Sequence, residues 1–166
     1  IFADNQPNVL IENFTIDGNR ANQSSGNVIG VNINYSASST VAQMNIRNMY
    51  GVCVDVTISN SVTVRDSRCS NTTNIGIYVG NSGYLTVTGN LIERSDAQGL
   101  YVQGVSNSTI ANNVVTENTN TGVVFTSSTN NVFSGNIIKY SGVNGLAIQS
   151  VSDENTISGN NIENSG

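Results

Sequence analysis

The chain has no histidine, no tryptophan and a single proline, Pro7, in 166 residues. Without histidine, neither a Ser–His or Cys–His nucleophilic couple nor a histidine-ligated metal can be assembled from these residues. Charge is also scarce: Asp, Glu, Lys and Arg make up 10% of the chain, against ~25% in an ordinary soluble domain. Six Lys plus Arg and a net charge of -5 argue against a nucleic-acid partner, which needs a basic stripe along the phosphates. No apolar run approaches the ~20 residues of a membrane-spanning helix. The two cysteines, Cys53 and Cys69, form neither a C-x-x-C pair nor a disulfide framework. No motif calls for a cofactor or a metal.

What is abundant is small and polar: 28 Asn, 21 Ser, 15 Thr and 16 Gly. They are not scattered. Apolar segments begin at Ile11, Val41, Val64, Val87, Ile110, Phe133 and Ile157, with steps of 30, 23, 23, 23, 23 and 24 residues. A second column, Gly30, Cys53, Gly76, Gly99, Gly122 and Gly145, keeps a step of 23 throughout. Each of its members opens an apolar-x-apolar triplet such as Ile77/Val79 or Leu100/Val102. The long first step therefore holds an insertion of seven residues before Gly30.

Within each repeat the alternation has period two, which specifies short strands rather than helices. A 23-residue unit cannot bury its own apolar face, whereas stacked units can, with equivalent positions ~4.8 Å apart in parallel sheets. The expected fold is all-β: one right-handed parallel β-helix domain over residues 1–166, with about seven rungs, the last incomplete. Inward columns are expected at Ile11 to Ile157 and, five residues on, at Ile16, Ile46, Cys69, Ile92, Val115, Ile138 and Ile162. Between them Asn90, Asn113, Asn136 and Asn160 should form an amide ladder. In this register Cys53 and Cys69 fall on different faces and are expected to pack as free thiols. Neither end shows a cap, so the chain is expected to be a piece of a longer solenoid, with flanking domains, or to stack end to end on other copies.

The segment Asn-Val-Leu-Ile-Glu-Asn-Phe-Thr-Ile-Asp-Gly-Asn at Asn8–Asn19 resembles the entry rungs of pectate-lyase-like β-helix proteins. Thr86–Ile92 and Asn131–Ile138 resemble generic parallel β-helix repeats. That superfamily contains polysaccharide lyases, polygalacturonase-type hydrolases, uronan epimerases, phage tailspikes and non-catalytic surface proteins. The resemblance implies a glycan partner, most often an acidic polysaccharide, and a location outside the cell or on a cell or virion surface. It carries over no catalytic residue. The Asn-Thr-Asp, Asp-Asp and Gly-His-Gly motifs of polygalacturonase-like enzymes are missing, as is an Asp-Pro-His motif, and no calcium-binding aspartate cluster is legible.

Two surfaces remain as candidates. The turn after the first strand gathers nine of the seventeen charged residues and borders the insertion. Glu93, Asp96 and Glu117 lie there on adjacent rungs and could supply the paired carboxylates of a glycosidase. The simpler expectation is a solvated turn of ion pairs, with Asp17 on Arg47 and Lys139 on Glu163. The second strand carries the outward residues Asp55, Tyr78 and Tyr101, with Gln103 beside them, a set suited to stacking on sugar faces and bonding hydroxyls. The alternative there is an aromatic stack that only stiffens the sheet. Two functional classes follow: a carbohydrate-binding or polysaccharide-processing β-helix of lyase, hydrolase or tailspike type, and a non-catalytic surface or adhesion solenoid. Five N-x-S/T sequons occur, about as many as this composition produces by chance.

Overall fold

A computed structural model describes residues 1–166 as 21 short strands and one 3-10 turn, with no α-helix. Every third strand returns to the same sheet, giving three parallel sheets of seven strands each. Sheet A runs from Phe2–Asp4 through Val31–Asn34, Val54–Thr57, Ile77–Gly80, Leu100–Gln103 and Val123–Thr126 to Leu146–Gln149. Sheet B begins with Leu10–Glu12 and ends with Thr156–Ser158; sheet C begins with Thr15–Asp17 and ends with Asn161–Glu163. Rungs are numbered below from the sheet A strand. Six full turns therefore separate the first and last strands of each sheet, and the seventh rung has all three strands.

The pairing follows the repeat residue for residue. Val87 pairs with Val64 and Ile110, Ile110 with Phe133, and Ile46 with Cys69, so equivalent positions stack in columns. The segment that reads in sequence as one strand from Ile11 to Ile16 is two strands, divided by a bend. The bend contains one left-handed residue per rung, φ between 51° and 68° at Asn13, Gln43, Asp66, Gly89, Asn112, Gly135 and Gly159. Asn, Asp and Gly tolerate that conformation, which is why they recur there.

At the next position the asparagine ladder forms. Asn90 donates its backbone N–H and its Nδ2 to Asn113 Oδ1, both at 3.0 Å, and Asn113 repeats this on Asn136. Asn136 does the same on Asn160. The other Nδ2 contact is to a strand carbonyl of the preceding rung, Val64 O for Asn90. Each amide thereby satisfies a buried backbone donor that the bend has turned away from the sheet ladders. A second ladder lies at the bend between sheets A and B: Ser36, Ser59 and Ser128 donate backbone N–H to Ser59, Ser82 and Ser152 Oγ.

The two cysteines correct the sequence expectation: Cys53 and Cys69 form a disulfide, with Cα atoms 5.9 Å apart. The glycine column starts sheet A at the bend out of sheet C, and it faces the sheet C interior column instead of turning away from it. A Cβ at Gly30, Gly76, Gly99, Gly122 or Gly145 would come within 2.3–2.8 Å of a methyl of Ile46, Ile92, Val115, Ile138 or Ile162. Glycine is required there by the branched aliphatic opposite. On rung 3 both positions are cysteine, and the shared volume holds a covalent bond.

The interior is a single apolar cluster, sealed between rungs but open at the end of the last one. Phe125, Phe133 and Ile138 are at most 1% exposed, while their rung 7 equivalents Ile148, Ile157 and Ile162 are 49%, 40% and 44% exposed.

Candidate functional site

The outer face of sheet A brings all four residues of the proposed sugar platform together. Asp55, Tyr78 and Tyr101 pair in register on rungs 3, 4 and 5. The two rings lie 5.8 Å apart, tilted by 46°. Tyr78 reaches along its own strand over Gly80, where a Cβ would lie 2.5–2.7 Å from its Oη and ring carbons. Its Oη donates to Gln103 Oε1 at 2.8 Å. The glycine thus leaves the space in which the ring lies, and Gln103 fixes its far end. Burial raises the Tyr78 phenol above its ordinary value, with Asp55 and Tyr101 adding to the effect. Asp55 is partly buried and accepts a 2.6 Å hydrogen bond from Thr57 Oγ1. Burial raises its carboxyl above the usual range, and the Thr57 bond offsets only part of that.

Two residues missed in the sequence border this face. Tyr35 and Ile58 occupy equivalent positions just after sheet A strands on rungs 2 and 3, 55% and 42% exposed. Both have left-handed backbone, φ 47° and 51°. A β-branched residue in that region is strained. Their 23-residue spacing was the available signal, but turn residues of mixed type do not read as a column.

The acidic candidates lie on the opposite side of the bend, and each is held by a cation. Glu93 is largely buried and is bound by Arg68 and by Arg94, the latter at 2.7 Å. Asp96 binds Arg20, and Glu117 lies 3.5 Å from Arg94. The expected pairs Arg47–Asp17 and Lys139–Glu163 also form. These bonds hold the Asp17 and Glu163 carboxyls below the usual carboxylate range, Arg47 being the main cause for Asp17 and Lys139 for Glu163.

The insertion folds over this side as the 3-10 turn Arg20–Asn22 and leaves an open cleft of about 440 Å³, lined by Asp17, Asn19, Arg20, Ala21, Asn48 and Asn71. Its polar groups are satisfied among themselves. Asn48 Nδ2 donates to Asp17, Asn71 Nδ2 to Asn48 Oδ1 at 2.6 Å, and Arg20 Nη1 to Asn71 Oδ1 at 2.8 Å. The cleft is the seat of the insertion; on the sheet A face the Asp55 carboxylate and the Gln103 amide each make one named side-chain bond beside the two rings.

Three stacked parallel sheets with inward asparagine ladders define a parallel β-solenoid, and the family comparison agrees. The model of the right-handed beta helix region matches residues 29–166. The chain belongs to that family. No curated protein matches the sequence. Among solved structures, a mutant of the periplasmic alginate epimerase AlgG is similar over 98% of this chain and 47% of its own, at 13% identity and a TM-score of 0.70. The enzymatically active domain of tailspike protein 2 from bacteriophage CBA120 is similar over 96% and 32%, at 11% identity and a TM-score of 0.64. DFA-IIIase from Arthrobacter chlorophenolicus A6, in complex with DFA-III, is similar over 94% and 54%, at 16% identity and a TM-score of 0.62. At these identities the likeness is one of fold. The chain spans less than two thirds of each of these structures.

Proposed function

We propose that this chain is the glycan-contacting part of a polysaccharide-active β-helix protein working outside the cell or on a cell or virion surface, and that sheet A's outer face is the contact surface. The observation that carries this is the Tyr78–Tyr101 pair, in register on adjacent rungs with centroids 5.8 Å apart. That spacing is close to the length of one sugar unit, on the order of 5 Å, so a chain lying along the helix axis meets one ring per residue. Asp55 and Gln103 stand beside the rings to bond hydroxyls. The neighbours in fold include an alginate epimerase and a tailspike enzyme domain, which supports the general kind. Titration of an oligosaccharide panel followed by tyrosine fluorescence, repeated with Tyr78→Ala and Tyr101→Ala, tests it. Loss of about tenfold or more in affinity in both variants is expected. A ligand held as tightly by both variants as by the parent makes the pair structural.

A non-catalytic surface solenoid is the second reading, favoured by the pairing of Glu93, Asp96 and Glu117 with arginines. The open interior of rung 7 supports the further proposal of end-on packing, by more chain, a neighbouring domain or another copy. Sedimentation over a concentration range tests the last of these.

A further inference from the structure

All six cationic side chains are occupied by carboxylates: Arg20 by Asp96, Arg47 by Asp17, Arg65 by Asp66, Arg68 and Arg94 by Glu93, and Lys139 by Glu163. None belongs to a sheet A strand. The outward residues of that sheet around the tyrosines are Asn32, Thr57, Gly80, Gln103 and Thr126, all uncharged, together with the carboxylate of Asp55. The only other charge in the sheet is Asp4, on rung 1, which accepts 2.8 Å from Asn34 Nδ2. The platform thus has two aromatic faces, amide and hydroxyl groups, one partly buried anion and no cation.

We propose that the Tyr78–Tyr101 platform takes uncharged glycans and rejects uronate-type chains, against the acidic polysaccharides that the superfamily resemblance suggests. The inference rests on the reading of this face as a glycan surface. A sugar stacked on the rings offers hydroxyls, which donate to the Asp55 carboxylate and accept from the Gln103 amide. A uronate in the same pose offers a second anion to a group that is desolvated already, with no arginine or lysine to neutralise either. Burial has already pushed the Asp55 carboxyl upward, which marks how little further negative charge that site accommodates. Direct side-chain recognition of an acidic chain uses the reverse arrangement, free guanidinium or ammonium groups aimed outward.

The test isolates charge from shape. Tetramers of galacturonate, mannuronate and glucuronate are each used as the free acid and as the methyl ester, alongside neutral hexose tetramers, in EDTA at low salt. Binding is followed by tyrosine fluorescence and calorimetry on the parent chain, Tyr78→Ala and Asp55→Asn. The expected result is that any ligand lost in Tyr78→Ala binds at least about tenfold more tightly as a neutral or esterified chain than as the free acid. Asp55→Asn should bring the acid to within about threefold of its ester. Free acids that bind the parent as tightly as their esters overturn the inference while leaving the platform standing. If no probe shows Tyr78-dependent binding, the platform itself falls, and the inference with it.

Discussion

Cys53 and Cys69 occupy, on rung 3, the two facing positions that glycine and a branched aliphatic residue occupy on five other rungs. The bridge closes a loop of 16 residues and joins the start of a sheet A strand to the sheet C strand of the same rung. In the chain-entropy account a loop of this size contributes about 3 kcal/mol. Reduction, or Cys53→Ser with Cys69→Ser, should lower Tm by roughly 6–12 °C, a drop readable by calorimetry. The pair Cys53→Gly with Cys69→Ile should recover part of it, because that combination already packs at Gly76 and Ile92. Cys69→Ile alone should be worse than the pair, since Cys53 Cβ would then meet the branched side chain. A single variant as stable as the pair would show that the two columns do not face each other.

The amide ladder gives an ordered series. Asn113 Oδ1 accepts from both the backbone N–H and the Nδ2 of Asn90, and all these atoms are buried. Asn113→Ala leaves the Asn90 backbone N–H without an acceptor and its Nδ2 with Val64 O alone, and should cost about 2–4 kcal/mol in denaturant unfolding. Asn113→Ser should cost less, because Ser67, in the same column, already accepts from Met44 N with its Oγ. Equal losses would remove the ladder from the account of stability.

Gly80 offers a probe of the platform that leaves both rings in place. Its φ is not in the left-handed region, so alanine is tolerated by the backbone. The new Cβ would occupy space now filled by the Tyr78 ring, which must swing away and release Gln103. Gly80→Ala should therefore keep near-parental stability, within about 1 kcal/mol, and lose glycan affinity as Tyr78→Ala does. Unchanged affinity would mean that the position of the ring is immaterial.

Asp55 gives a pH signature. Its folded pKa lies above the ordinary value of 3.8, so the native state binds the proton more readily than the unfolded chain does. Its contribution to stability is therefore most favourable below the unfolded pKa and is lost as pH rises through the folded one. Asp55→Asn removes that slope and accepts the same Thr57 bond. Denaturant melts between about pH 3 and pH 7 should show the variant gaining on the parent as pH rises. A constant difference would place Asp55 in a solvated setting.

The register of all three sheets was legible because it is periodic: a column repeated at 23 residues fixes its neighbours whatever the bends do. For the same reason Asp55, Tyr78 and Tyr101 could be placed together on one face. The disulfide was not legible, although both of its columns were. Whether Cys53 faces Cys69 depends on the angle of the bend between sheets C and A, which has no period of its own. The serine ladder was obscured by Val105, which interrupts Ser36, Ser59, Ser82 and Ser128, and by the frequency of serine in any turn. The hold of Arg20 on Asn71 and Asp96 depends on the path of an insertion with no counterpart in other rungs.

The uniform rung length has an evolutionary consequence. From rung 3 to rung 6 the bends and interior columns keep a spacing of 23 residues, and only the residue types within them vary. Recombination that deletes or duplicates one such unit rejoins apolar interior positions to apolar interior positions and keeps inward and outward side chains on their own faces. The length of the outer face can then change by whole rungs of about 4.8 Å while the interior keeps its character, so a longer or shorter solenoid needs no new design.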